Sequence, residues 1–237
     1  MGKIDIRIIQ GTEQEYPAAN INIVIDVIRA FTASHVAFLR GVREIFLVNT
    51  VEEAYALKAS NPDYLLAGEV GGLPIENFEL DNSPYTFSIA DIENRTLVQK
   101  TTNGVKATLL ALNADTILVT GFSNAKKTAT YAKNLAAGMP HCTINIIASH
   151  ARDEDDLICA EYIREILLGN NRLKPEEIKT KIRTSRPAQK FFDPQKPAFD
   201  PRDMDFCCEE ITCDFVMEVD KSTPIPKIVR KRVPAAA

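Results

Sequence analysis

Along the chain, apolar and polar positions alternate between two rhythms, one of strands and one of helices. Residues Ile4 to Ile9 alternate weakly and predict an edge strand, and Gly11 to Asn20, carrying Pro17, predicts a polar loop. Ile21-Asn22-Ile23-Val24-Ile25-Asp26 is a nearly continuous β-branched run, the pattern of a strand buried on both faces of a sheet covered by helices. Val27 to Leu39 reads as an apolar helix ended at Gly41, with Arg29 and Thr32 near its start. Glu44 to Val48 predicts a strand. Val51 to Ser60 predicts a helix whose Val51, Ala54, Tyr55 and Ala59 share a face, stopped by Pro62. Tyr64 to Glu69 reads as a short strand ending in a carboxylate, followed by Gly71-Gly72. The polar stretch from Pro74 to Pro84 is either a functional loop or a surface excursion turning at Asn82-Ser83-Pro84.

A second series starts at Leu97-Val98. It runs through the polar turn Lys100-Thr101-Thr102-Asn103-Gly104, a helix over Val105 to Leu112, a strand at Ile117 to Val119, and Gly121-Phe122-Ser123-Asn124 capping a helix to about Ala137. Shifted by 72 positions, Ile45 and Leu47 answer to Ile117 and Val119, and Arg29 to Thr32 answers to Thr101 to Gly104. Two similar βαβ units, about residues 20–60 and 95–135, would then set Asp26, Arg29 and Thr32 opposite Thr101, Thr102 and Asn103 across a shared cleft; coincidence of ordinary βαβ grammar is the other reading. Thr143 to Ala148 predicts another strand, and the acidic run up to Asp156 precedes a helix over Leu157 to Leu168. Residues 170–201, with Pro175, Pro187, Pro194, Pro197 and Pro201, read as an irregular, mobile helical insert. Strands at Ile211 to Glu218 and near Ile225 to Ile228 return to the sheet. The expected fold is α/β, a three-layer α/β/α arrangement with a mixed sheet in one domain over residues 1–237.

Composition narrows the function. A chain of 237 residues that is 45% hydrophobic can bury one large core. Its net charge of −4 is spread along the chain, which excludes the extended cationic surface of a nucleic-acid binder; the basic cluster Lys227 to Arg232 reads as a solvated end. No apolar run approaches the roughly 20 residues that cross a bilayer, and Met1-Gly2-Lys3-Ile4-Asp5 does not resemble a signal peptide, so a cytoplasmic protein without membrane contact is expected. Cys142, Cys159, Cys207, Cys208 and Cys213 form no repeated metal or disulfide frame and read as reduced thiols. His141 beside Cys142 makes a poor dyad, because neighbours on a strand point to opposite faces. A homo-oligomer stays open.

The candidate chemistry lies at the strand ends. Asp26, Glu69 and Asp156 offer carboxylates, while Arg29 with Thr32 and the Thr101 to Gly104 turn offer donors for an anion. Each also has a plainer reading, as a capped helix start or, for the acidic run, a dipole complement. Together they suit a magnesium and phosphate site, because magnesium keeps several waters and takes one or two protein carboxylates. Missing motifs argue against other phosphate chemistries, and an Asp26 nucleophile stays open without being favoured. There is no G-x-x-x-x-G-K-[ST] loop and no G-x-G-x-x-G after the first strand, and Asp26-Val27-Ile28 lacks the second aspartate of a haloacid dehalogenase-type phosphatase.

With these residues in place, the chain resembles the 2-phosphosulfolactate phosphatase family. The resemblance rests on Val24-Ile25-Asp26-Val27-Ile28-Arg29-Ala30-Phe31-Thr32, Gly68-Glu69, Asp81-Asn82-Ser83-Pro84 and Thr101-Thr102-Asn103-Gly104, and continues weakly through Gly121-Phe122-Ser123-Asn124 and Asp155-Asp156-Leu157-Ile158-Cys159-Ala160, covering about residues 20–165. It implies an α/β/α, magnesium-dependent phosphatase of the coenzyme M biosynthesis type that hydrolyses a small phosphorylated acid, 2-phosphosulfolactate, to sulfolactate and phosphate. Asp26, Glu69 and Asp156 become candidates to hold metal or activate water. Arg29, Thr101, Thr102 and Asn103 become catalytic candidates, and Thr32, Asn82, Ser83, Gly104 and Asn124 substrate-binding candidates. Val70 follows Glu69 where the family pattern suggests arginine, and Asn77 and Asp81 stand where it suggests glycines. Those departures support an alternative, a non-catalytic small-anion-binding protein on the same fold; a phosphatase for a different phosphorylated acid is the other.

Overall fold

The β-branched runs build one mixed sheet in the computed structural model, which describes residues 3–12, 15–170 and 172–233. In chain order the elements are β1 (Lys3–Gln10), β2 (Ile21–Ile25), α1 (Ala30–Leu39), β3 (Glu44–Leu47), α2 (Val51–Ser60), β4 (Leu65–Val70), β5 (Leu73–Pro74) and α3 (Pro84–Ile89). They continue with β6 (Thr96–Lys100), α4 (Gly104–Leu110), β7 (Thr116–Thr120), α5 (Ala125–Ala137), β8 (His141–Ala148), α6 (Glu154–Leu168), α7 (Pro175–Thr184), α8 (Arg186–Gln189), α9 (Asp203–Cys207), β9 (Phe215–Asp220) and β10 (Lys227–Arg232).

The sheet order is β1-β8-β2-β7-β9-β10-β3-β6-β4-β5. β1, β8, β2 and β7 form one parallel run and β3, β6 and β4 another, separated by three antiparallel steps through β9 and β10. Both segments that resemble each other do run strand, helix, strand, helix, but the two strands within a segment are not neighbours. β2 of the first pairs with β7 of the second, and β3 of the first with β6 of the second. The segments therefore exchange strands instead of each closing a βαβ unit.

Two apolar layers cover the sheet. Val24 faces a core shared with α1, α3 and α4, whereas Ile21, Ile23 and Ile25 face one shared with α5 through α9. A smaller cluster seats Ala54 of α2 on Leu66 and Val98. Each fully buried isoleucine of β2 is worth roughly 1.5–3 kcal/mol, enough to hold this strand, and the loop that follows it, in the middle of the sheet. No helix among the described residues is long and apolar enough to cross a membrane.

Three expectations change. α1 begins at Ala30, not Val27: Val27 is apolar because the preceding turn is itself buried, so periodicity could not separate turn from helix. Lys227 to Arg232 forms β10, paired with β9 along its length and with β3 only at Lys227 and Ile228; Lys227 meets Glu44 (2.9 Å) and Lys231 meets Glu218 (2.8 Å), while Arg230, Lys231 and Arg232 are exposed, so the basic cluster is a strand whose far half is solvated. The proline-rich segment is packed: Ile178, Ile182, Ala188 and Phe191 all enter the core.

Candidate active site

At the end of β2 the chain turns sharply, and the Ile28–Arg29 peptide bond is cis. Asp26 Oδ1 accepts a hydrogen bond from the N–H of Ala30 (2.9 Å), the first residue of α1, and Gly104, the first residue of α4, abuts the same carboxylate. A Cβ at position 104 would lie 2.6 Å from Asp26 Oδ2, so the approach requires glycine. Burial outweighs that bonding and, with the charge of Glu69, pushes the Asp26 carboxyl up to about 6.

Two further carboxylates close on the same turn. α6 starts at Glu154, earlier than its apolar pattern suggested, which puts Asp155 and Asp156 in its first turn. Asp156 Oδ1 accepts from the Val27 N–H (2.8 Å) and its Oδ2 from Ser149 Oγ (2.9 Å) and the His150 N–H (3.3 Å). Asp155 Oδ2 accepts from the Ile28 N–H (3.1 Å), while its Oδ1 is buried without a partner. Burial, reinforced by Asp26 and Asp153, pushes the Asp155 carboxyl up to about 7, and burial with Asp155 and Asp26 raises Asp156 well above the usual range.

Opposite lies the Thr101 to Gly104 turn. Gly68, at φ +143°, has room for no side chain, because a Cβ there would stand 1.8 Å from the Lys100 carbonyl oxygen; this close approach of β4 to β6 sets Glu69 beside Thr102. Glu69 Oε1 accepts from the Thr102 N–H (2.5 Å), and Oε2 from Thr102 Oγ1 (2.9 Å) and the Gly72 N–H (2.5 Å). The turn expected to offer free donors to an anion is thus already engaged by the chain's own carboxylates, Glu69 and Asp26.

The cationic wall comes from Arg29 and from the segment before α9. Buried Arg29 donates from Nη1 to Asp203 Oδ2 (2.8 Å) and from Nη2 to the Gly72 carbonyl (3.2 Å), with its guanidinium 5.2 Å from the Phe191 ring centroid and 5.6 Å from that of Phe199. Asp203 Oδ1 accepts from Ser83 Oγ (2.5 Å) and the Tyr85 N–H (3.1 Å), tying the start of α3 to the same ion pair.

The resulting cleft holds about 220 Å³. Asp26, Arg29, Glu69, Asn82, Thr102, Asn103 and Asp156 all line it, as the sequence suggested. Five expected site residues stand elsewhere. Thr32 Oγ1 donates to the Val27 carbonyl (2.7 Å) behind the turn, and Thr101 Oγ1 accepts from the Val105 N–H (3.0 Å) to cap α4. Ser83 caps α3 and holds Asp203, and Gly104 abuts Asp26 behind the wall. Asn124 joins Thr120 and Thr128 beneath a separate depression. Sequence reasoning missed Asp155, Asp153, His150 and Lys190, which line the cleft, and Asp203. Asp155 was legible as the neighbour of Asp156; Lys190 and Asp203 carry no local signal.

Among the described residues no three His, Cys, Asp or Glu side chains converge as a metal cluster. Of the carboxylates expected to hold metal, Glu69 and Asp156 have both oxygens engaged by donors, which leaves Asp26 and the newly placed Asp155 as the freer pair.

A family model described as 2-phosphosulpholactate phosphatase matches residues 7–222. A Bacillus subtilis protein named probable 2-phosphosulfolactate phosphatase is 50% identical over 225 residues, covering 95% of this chain and 98% of its own. Proteins with the same name from Caldicellulosiruptor saccharolyticus (36% identical over 151 residues, 62% of each chain) and Clostridium beijerinckii (32% over 173 residues, 72% of each chain) are also similar.

Proposed function

The chain belongs to the 2-phosphosulfolactate phosphatase family, and we propose on that premise that it is a cytoplasmic, magnesium-dependent hydrolase releasing phosphate from 2-phosphosulfolactate to give sulfolactate, a reaction of the coenzyme M biosynthesis type. The observation that supports the metal is the surplus of acid. Asp26, Glu69, Asp153, Asp155 and Asp156 face a cleft whose cations are Arg29 and Lys190, and a phosphate ester entering it would meet net negative charge. The raised carboxyls of Asp26 and Asp155, with the unpartnered Asp155 Oδ1, are the state of a hard-oxygen site that a divalent cation would relieve. Asp26 and Asp155 would hold it. When bound, magnesium supplies positive charge against the phosphoryl oxygens and acidifies the attacking water.

The chain's own groups do the rest. Asp156 fixes the Val27 N–H and Ser149, and so the turn that carries Asp26. Glu69 fixes Thr102, leaving Asn103 to reach the phosphoryl group from the rim of α4. Arg29, held by Asp203 and two rings, presents its remaining N–H groups from a fixed plane. The departures from the family pattern lie off this surface. Val70 is 50% exposed at the β4 tip, and Asp81 Oδ1 accepts from the Ser83 N–H (3.0 Å) in a local turn, so neither lines the cleft.

The test is phosphate release from 2-phosphosulfolactate by the purified protein with magnesium and with excess EDTA. Release that EDTA abolishes and magnesium restores is expected. Binding without release would favour the non-catalytic anion-binding alternative, and release from other phosphorylated acids alone would move the substrate.

A further inference from the structure

The cleft opens outward into a second depression, and the two share His150, Asp153 and Lys190. Lys190 stands at that junction, half-buried, on the turn that follows α8. Its Nζ lies 4.7 Å from the Phe199 ring centroid and 5.6 Å from that of Phe191, and it would be 3.7 Å from a Cβ on Gly72. The ammonium itself lies against the faces of the two rings, at the junction of the two depressions.

No carboxylate of the described residues bonds its ammonium directly. Among the described residues Lys190 makes no salt bridge and no side-chain hydrogen bond, whereas Arg29 is bonded to Asp203 and to the Gly72 carbonyl, and Arg186 in the outer depression is paired with Asp153 (2.6 Å). Burial and the neighbouring Arg29 lower its affinity for a proton more than the charges of Asp153, Asp155 and Glu69 raise it. The carboxylates proposed to engage the phosphoryl group lie at the end of β2 and the start of α6, in the inner cleft. A substrate whose phosphate sits there extends its other end toward the junction.

We propose that Lys190 binds the anionic substituent of the substrate that is not transferred, the carboxylate or sulfonate of the acid, and thereby sets the enzyme's preference for phosphorylated acids over uncharged phosphate esters. This rests on the phosphatase reading above, and deepens it by dividing the cleft into an inner phosphoryl half and an outer acid-reading half. Lys190 is a specificity residue of the same site.

Three substrates separate the possibilities: 2-phosphosulfolactate, 2-phospholactate, which lacks the sulfonate, and phenyl phosphate, which lacks both groups. In Lys190→Met, which keeps an unbranched side chain beside the rings and removes the charge, the preference for 2-phosphosulfolactate over phenyl phosphate, as a ratio of kcat/KM, should fall at least tenfold, mainly through KM. Lys190→Arg should recover part of it. A fall shared by 2-phospholactate assigns the carboxylate, and one confined to 2-phosphosulfolactate assigns the sulfonate; both support the proposal. Equal losses on all three esters would place Lys190 on the phosphoryl group and overturn it, as would no loss on any. Calorimetric binding of sulfolactate, which needs no turnover, keeps the proposal testable if no ester is hydrolysed: at least fivefold weaker binding to Lys190→Met is expected, and equal affinity refutes it.

Discussion

Replacing Asp155 with asparagine should make the protein more stable and less able to respond to magnesium. Asp155 is buried beside Asp26 and Asp156, and its carboxyl is held at about 7 instead of the ordinary 3.8. A carboxyl raised in this way favours the folded state while protonated; that contribution is whole below about 3.8 and declines as pH rises until it is gone above about 7. Above that pH the ionised group costs the fold up to about 4 kcal/mol. The cost is shared with Asp26 and Asp156, so removing one charge should recover about 2–3 kcal/mol. The amide oxygen can still accept from the Ile28 N–H, and the new NH₂ replaces an oxygen that had no partner. For a chain of this length the gain corresponds to a rise of about 5–10 °C in Tm. Scanning calorimetry at pH 8.0 and 5.5, each in EDTA and in magnesium, reads all four corners. In EDTA the variant should melt higher at pH 8.0, and its advantage should shrink to about half at pH 5.5, since the cost accumulates from 3.8 to about 7. Magnesium should raise the wild-type Tm at pH 8.0, by an amount equivalent to about 2.7 kcal/mol at a hundred times its Kd, and leave the variant almost unmoved. A variant that melts lower than wild type at pH 8.0 in EDTA would refute the reasoning, since Asp155 would then be structural and not strained by charge.

Further predictions follow from the same contacts. Asp203→Ala strands the Arg29 guanidinium in a buried site and frees Ser83, so denaturant unfolding should show a loss of about 3–5 kcal/mol. Gly104→Ala drives a methyl group to 2.6 Å from Asp26 Oδ2, and turnover should fall at least tenfold while circular dichroism stays native. His35 is buried against Phe215 with its Nε2 unpartnered, and burial lowers its pKa from 6.5 to about 4. The unfolded chain therefore binds a proton between those values that the folded chain refuses. Stability is lost as pH falls from 6.5 towards 4, by on the order of 3 kcal/mol, and His35→Gln should flatten that slope in urea titrations.

The parts of the fold that sequence made legible are those whose local chemistry and burial agree. β2 announces itself by branched residues on both faces, and α2 by the helical run from Val51 that Pro62 stops, although the Thr50 and Glu53 capping box that holds its start was not singled out. The turn at Val27 to Arg29 misled because it is apolar as buried irregular chain, whereas β10 was legible only in part: Lys227 and Ile228 have strands on both sides, while the exposed Arg230 to Arg232 keep the polar pattern of a solvated end. The site followed the same division. Asp26, Arg29, Glu69, Asn82, Thr102, Asn103 and Asp156 sit at or near strand ends, where the topology of an open sheet gathers polar groups. Thr32 and Asn124 have the right residue types, but their hydroxyl and amide are spent on the Val27 carbonyl and on Thr120. Asp203 meets Arg29 across 174 positions, and Lys190 reaches the cleft through the packing of Phe191 and Phe199; no spacing within one element encodes either.

The exchange of strands between the two segments has a cost during synthesis. β2 emerges early, yet its neighbours are β7 and β8, so its apolar edge stays unpaired until residues Thr116–Ala148 have been made, and β1 waits for the same stretch. The hairpin of β9 and β10 that joins the two parallel runs comes later still, as does Asp203, without which Arg29 has no counter-charge. Long-range pairing of this kind folds slowly and exposes strand edges meanwhile. A nascent chain halted before β7 holds the Thr101 to Gly104 turn and the β2 strand, with α1, α3 and α4 to cover one face of that strand and neither neighbour to pair its edges.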